Sequence, residues 1–182
     1  MTPFYYSLAM WEIETRLATT DDAKEILGIY GHYVLNTAIS FEYSVPSIEE
    51  FSRRMERTLE KYPYFVALID NRIVGYAYAG PFVGREAYRF STELSIYIDK
   101  NHHKQGIGRL LYKKLEDTLK EMGIKNLYAC IGVPDLKEDE YLNFNSVQFH
   151  EHLGFKKVGE FHRCGYKFDR WYNMAWMEKI LD

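Results

Sequence analysis

The chain has 182 residues, a formal net charge of -3, and a composition that is 47% hydrophobic and 27% charged. That length builds one domain around one core, and the balanced charge excludes the basic footprint of a nucleic-acid binder. Residues 1–16 carry neither a basic stretch nor a long apolar run, so they read as neither a signal peptide nor a membrane span.

The first strand is expected over Glu12 to Ala18. Thr19 and Thr20 precede Asp21-Asp22-Ala23, a helix start with acids at the positive end of the dipole. Ile26, Ile29, Tyr30, Tyr33 and Val34 then recur at helical spacing. Ser47-Ile48-Glu49-Glu50 fits a capping box for a second helix, which Pro63 closes. Phe65 to Ile69 and Ile73 to Ala79 flank a turn at Asp70-Asn71-Arg72 and predict a hairpin. Ser91 to Ile98 is a strand with Leu94, Ile96 and Ile98 on one face. Ile107, Leu110, Leu111, Leu115, Leu119 and Met122 form the buried stripe of a long helix that Gly123 caps. A strand at Leu127 to Ile131, an acidic exposed loop at Asp135 to Tyr141, and a short helix at Asn145 to Leu153 follow. Strands at Phe155 to Phe161 and Tyr172 to Ile180 complete the chain.

The order β-α-α-β-β-β-α-β-α-β-β implies an α/β (α+β) fold, a central mixed sheet with helices on both faces. Domain boundaries follow: an N-terminal extension at 1–12 and one domain at 13–182. The 16 Tyr and 11 Phe are expected mostly in the core, with the rest lining a pocket. Cys130 and Cys164 match neither a metal-ligand spacing nor a disulfide framework. They read as buried, reduced thiols of a cytoplasmic protein.

Between a strand and the long helix lies His102-His103-Lys104-Gln105-Gly106-Ile107-Gly108-Arg109. Glycines allow a tight turn and close approach of a ligand to the backbone, and a helix start offers free N–H groups and a positive dipole end. Together they suit a pyrophosphate, with Lys104 and Arg109 adding charge. A Gly-x-Gly alone equally fits a plain strand-to-helix turn, and it lacks both the third glycine of a dinucleotide fingerprint and the Gly-Lys-Ser/Thr of a P-loop.

With its preceding strand Leu94 to Ile98, this segment resembles the coenzyme A-binding segment of the GNAT N-acetyltransferase superfamily, whose pattern is Arg or Gln, two residues, Gly, one residue, Gly or Ala. His103 stands where that pattern has Arg or Gln. The resemblance is closest to the phosphinothricin acetyltransferase branch. It rests on Gly75-Tyr76-Ala77-Tyr78-Ala79-Gly80-Pro81, Arg85-x-Ala87-Tyr88, Thr92-Glu93-x-Ser95-Ile96-Tyr97 and Ile131-Gly132-x-Pro134. Further matches are Asn143-x-x-Ser146-Val147-x-x-His150-Glu151-x-Leu153-Gly154-Phe155 and Gly165-Tyr166-Lys167 with Trp171. Residues 136–142 look like an insertion relative to that branch.

The resemblance implies the GNAT acyl-CoA N-acyltransferase fold, whose central parallel strands splay apart, and an enzyme that acetylates the amine of a small molecule. The acceptor would be an amino acid or analogue such as phosphinothricin, methionine sulfoximine or methionine sulfone. Acetyl-CoA would be the co-substrate, with no metal, no nucleic acid and no membrane, and with a homodimer plausible for the branch. Ile96, Tyr97, Ile98, His103, Lys104, Gln105, Gly106, Ile107, Gly108, Arg109, Asn143 and Ser146 would hold the cofactor. Phe41, Arg85 and Tyr88 would bind the acceptor.

Amide formation from an ammonium and a thioester needs a base, an oxyanion donor and a route for the leaving thiolate. Glu93, flanked by apolar residues, reads either as a base with a raised pKa or as a surface carboxylate; the resemblance places the family base there. An oxyanion donor is expected from the backbone near Ile96. His150 reads as a proton donor, a second base or a half-buried helix histidine. A peptide acetyltransferase and a non-catalytic acyl-CoA-binding module are the competing readings.

Overall fold

A computed structural model describes residues 12–181. The expected N-terminal extension lies almost wholly outside them. The elements are β1 (Glu14–Leu17), α1 (Ala23–Asn36), α2 (Ile48–Leu59), β2 (Tyr64–Ile69), β3 (Arg72–Pro81), β4 (Ser91–Ile98), α3 (Ile107–Glu121), β5 (Asn126–Pro134), α4 (Asn145–His152), β6 (Lys156–Lys167) and β7 (Arg170–Ile180). This is the order expected from periodicity.

The strands form one seven-stranded sheet in the order β1-β2-β3-β4-β5-β7-β6. All neighbours pair antiparallel except β4 and β5. The β2–β3 hairpin turns on Asp70 and Asn71, both left-handed at φ 49 and 60, as a two-residue hairpin loop demands.

Helices cover both faces because side chains of a strand alternate. Tyr64, Val66 and Leu68 of β2 pack with Ile26, Ile29, Tyr33 and Val34 of α1 and with Phe51 and Met55 of α2. Phe65, Ala67 and Ile69 face the other way, into the core built by Ile107, Leu111, Leu115 and Leu119 of α3. The whole of β2 is therefore buried.

Local sequence accounts for most boundaries. Ser47 accepts a hydrogen bond from the Glu50 amide at 3.2 Å and caps α2. Only that half of the capping box forms, because the Glu50 carboxylate turns to Arg53 and Arg54. Gly123, at φ 81, ends α3.

Three expectations are corrected. Met122 is 48% exposed and Leu110 half-buried; Tyr112 takes the buried position on the stripe instead, at 1% exposed. Both cysteines are exposed rather than buried, because Cys130 lies on the face of β5 that no helix covers and Cys164 in an irregular stretch of β6. The acidic loop is not wholly solvated: the Asp139 carboxylate accepts from the Tyr141 and Leu142 amides and the Tyr172 hydroxyl at 2.8–3.0 Å.

Candidate active site

The parallel ladder between β4 and β5 stops after three residue pairs, Ser91 with Asn126, Thr92 with Leu127 and Glu93 with Tyr128. On their outer sides both strands stay paired, β4 with β3 as far as Ile98 and β5 with β7 as far as Pro134. The sheet therefore forks at Glu93. Beyond the fork, alternate N–H and C=O groups of β4 face β5 and meet no strand, so they are free to meet a ligand. Leu94, Ser95, Ile96 and Tyr97 on one side and Ala129, Cys130, Ile131 and Gly132 on the other wall the cleft; Ile39, Tyr112, Ser146 and His150 complete it.

The glycine loop sits at the end of β4. Gly106 is left-handed at φ 85, and a Cβ there would meet open space. Gly108 serves a different end: a Cβ there would stand 2.9 Å from Cζ of Phe149, so its absence lets α3 pack on α4. Lys104, Gln105 and Arg109 are exposed around the start of α3. His103 is exposed, but its Nε2 lies 2.9 Å from the Tyr33 hydroxyl and 3.2 Å from the Ile98 carbonyl. Tyr33 donates its own proton to that carbonyl, so His103 Nε2–H donates to the Tyr33 oxygen.

Glu93 occupies the fork itself. Burial raises its carboxyl above the ordinary value, the direction a proton acceptor for an ammonium requires.

His150 is 3% exposed. Its Nδ1 lies 2.6 Å from the Ser146 carbonyl, an acceptor only, so Nδ1 carries the proton. Nε2 is then a bare acceptor, and the Tyr112 hydroxyl donates to it at 2.9 Å. Burial holds the imidazole down to about 4, so it is neutral at pH 7 and has no Nε2 proton to give.

The description Acetyltransferase (GNAT) domain matches residues 15–176. The chain belongs to this acetyltransferase family. It is 30% identical to a phosphinothricin N-acetyltransferase of Streptomyces viridochromogenes, over 93% of this chain and 88% of the relative. It is also 30% identical to an L-methionine sulfoximine/L-methionine sulfone acetyltransferase of Salmonella typhimurium, over 92% and 94% respectively. Its fold matches the crystal structure of a phosphinothricin acetyltransferase from Sinorhizobium meliloti in complex with acetyl-CoA. The TM-score is 0.84 at 33% identity, covering 93% of this chain and 88% of that one. This chain is accordingly an acetyl-CoA-dependent N-acetyltransferase.

Within the acetyltransferase fold, the residues expected from sequence fall into two groups. Glu93, Ile96, Tyr97, Ser146 and His150 converge on the cleft or its fork. Asn143 is exposed, and its Oδ1 accepts from the Asn145 amide at 3.0 Å, leaving its NH2 free as a donor. Phe41 is half-buried beside Gly132, whose Cβ would lie 3.6 Å from its ring. Arg85 and Tyr88 lie outside the cleft, on the exposed connection between β3 and β4, where Tyr88 meets Phe82 edge-on at 5.9 Å.

Tyr112, Ser95 and Cys130 line the cleft and were not singled out in the sequence. Tyr112 left a signal, since a tyrosine inside an apolar helical stripe has to bring its hydroxyl to a partner. Cys130 left none. The crowded cleft desolvates its thiol although part of its surface stays open, and the thiol is pushed up to about 12 by that burial, by Glu93 and by Cys164. A protonated thiol is a poor nucleophile.

Proposed function

We propose that the enzyme acetylates the α-amine of an amino acid or a compact analogue, of the class that includes phosphinothricin, methionine sulfoximine and methionine sulfone. The observation that carries this reading is the fork at Glu93, which puts one desolvated carboxylate where a free strand edge begins. Lys104 to Arg109 receive the pyrophosphate of acetyl-CoA at the start of α3, with His103 bracing the turn from within. Asn143 and Ser146 hold the pantetheine arm, and the free backbone of β4 from Ile96 to Ile98 aligns it.

Glu93 removes the ammonium proton, directly or through a water. The amine attacks the thioester carbonyl, an N–H of β4 near Ile96 meets the oxyanion, and as the C–S bond breaks the nitrogen's surplus proton passes through water to the departing sulfur, giving the amide and the free thiol. Transfer is direct, in a ternary complex; the raised Cys130 thiol supports this over an acetyl-cysteine. Phe41 walls the acceptor site. Arg85 and Tyr88 recognise the acceptor's acid group, which requires the β3–β4 connection to close over the cleft.

The active form is a homodimer of the cytoplasm. Support comes from the uncovered apolar side chains of β6 and β7, with Phe161 58% and Trp171 53% exposed, and from two free thiols, which suit a reducing compartment.

The test is thiol release from acetyl-CoA across phosphinothricin, methionine sulfoximine, methionine sulfone, the proteinogenic amino acids, polyamines and short peptides. Saturable release with the small acids is expected. Release with peptides alone would overturn the acceptor, and binding of acetyl-CoA without any turnover would overturn the enzymatic reading.

A further inference from the structure

Lys167, the last residue of β6, is 3% exposed. Its ammonium donates to three backbone carbonyls, Val34 at 2.7 Å, Thr37 at 2.8 Å and Ser40 at 2.6 Å. Three donors meet three acceptors, and among the described residues it forms no salt bridge. The last carbonyls of a helix lack intrahelical partners and carry negative partial charge. The last turn of α1 has no basic residue of its own. Lys167 supplies that cation from the far end of the chain and follows the backbone out of the helix into the loop before α2.

Two more contacts converge on the same loop. The Ala38 amide donates to the Tyr141 carbonyl at 3.0 Å, and Tyr141 belongs to residues 136–142, which the sequence reads as an inserted segment and which Asp139 holds in shape. The ring of Phe41 lies over Gly132 and Gly165; a Cβ at Gly165 would run into it. Between these anchors, Ile39 reaches the cleft wall.

We infer that Lys167 is a positioning residue for the acceptor: it locks the loop 37–42 between β5, the inserted segment and the β6–β7 hairpin, so that Ile39 and Phe41 form a fixed wall selecting compact amines. The inference rests on the acceptor reading above. It gives the inserted segment a task, which is to close the far side of the same clamp.

The experiment uses Lys167→Met, which keeps length and loses the charge, and Gly165→Ala, which keeps every Lys167 bond and pushes on Phe41. Amide hydrogen exchange, acetyl-CoA affinity by calorimetry, and kcat and KM for acceptors of increasing side-chain length are measured on both. Lys167→Met is expected to speed exchange at 37–42 and raise the acceptor KM by about tenfold while acetyl-CoA affinity and kcat stay within about threefold. Discrimination against long acceptors should narrow. Gly165→Ala should raise the acceptor KM without faster exchange. The inference is overturned if acetyl-CoA affinity and acceptor KM worsen together in Lys167→Met, or if Gly165→Ala leaves the acceptor KM within about twofold. A wild-type enzyme silent on every acceptor would sink the functional reading instead. The clamp would then be judged by exchange alone, and unchanged exchange at 37–42 in Lys167→Met would overturn it.

Discussion

On one bank of the fork, the side proposed for the cofactor, nearly everything comes from one continuous stretch: β4, the glycine loop and the start of α3, residues 91–109. On the other, the wall is assembled from residues 38–41, Gly132, residues 139–142 and residues 165–172, separate segments drawn from three distant stretches of the chain. The first bank offers mostly backbone groups, whose positions depend little on side chains outside the two glycines. The second depends on particular side chains meeting at long range. Chemistry common to a family belongs on the first kind of surface, and selectivity among acceptors on the second.

The largest effect tests whether Glu93 joins the two banks. Glu93→Gln should cost about 10²- to 10⁴-fold in kcat, the usual worth of a positioned base, while acetyl-CoA affinity holds. In the wild type, kcat/KM should rise with pH through a limb above the ordinary carboxylate value, since burial raises this group. The stability sign is opposite to that of a salt-bridged carboxylate. Ionising Glu93 costs more in the fold than in the unfolded chain, so its penalty grows as pH rises through the raised pKa and vanishes in acid. Glu93→Gln should therefore melt higher at neutral pH and no higher below the ordinary carboxylate range. Unchanged turnover would remove Glu93 from the base role.

His150 gives the next effect. Its folded pKa of about 4 lies below the ordinary 6.5, so the unfolded chain binds the extra proton first. Stability is unaffected above 6.5 and declines as pH falls toward 4, by up to about 3 kcal/mol. His150→Gln should flatten that limb in denaturant titrations. An equally steep limb in the variant would show that another group carries it.

The two glycines show how much of this was legible. Gly-x-Gly between a strand and a helix announced a cradle, yet it could not say that the glycines have separate reasons. Gly106 needs its left-handed φ, whereas Gly108 needs room for Phe149, a residue 41 positions later. Glu93 could be named because a carboxylate among apolar strand residues stands out locally. The tasks of Tyr112 and Lys167 could not be read, although one stands out in an apolar stripe and the other in a motif, because each acts through a partner that the fold brings from a distance, His150 in one case and the end of α1 in the other. Periodicity gave the element order and failed at details such as Met122, which lies just past the end of α3 and points outward. Gly106→Ala puts the cradle to the test. Left-handed backbone costs a side chain about 1–2 kcal/mol, which should appear as roughly 5- to 30-fold weaker acetyl-CoA binding by calorimetry with acceptor selectivity intact. A change in acceptor preference instead would mean that the two banks are not separable.

The smallest effect concerns the position where this chain departs from its family's pattern. A histidine in place of Arg or Gln invites the idea that the cofactor loses a side-chain contact. The geometry gives His103 a different task. Its Nε2–H braces Tyr33, and Tyr33 in turn holds the Ile98 carbonyl, so the ring ties α1 to the end of β4 just before the cradle. Under the proposed reading, the anion itself is left to backbone N–H groups, Lys104 and Arg109. A glutamine can present one amide N–H toward the same hydroxyl, so His103→Gln should weaken acetyl-CoA by less than about threefold, under roughly 0.7 kcal/mol. A tenfold loss would place the ring against the pyrophosphate and move His103 from scaffold to ligand.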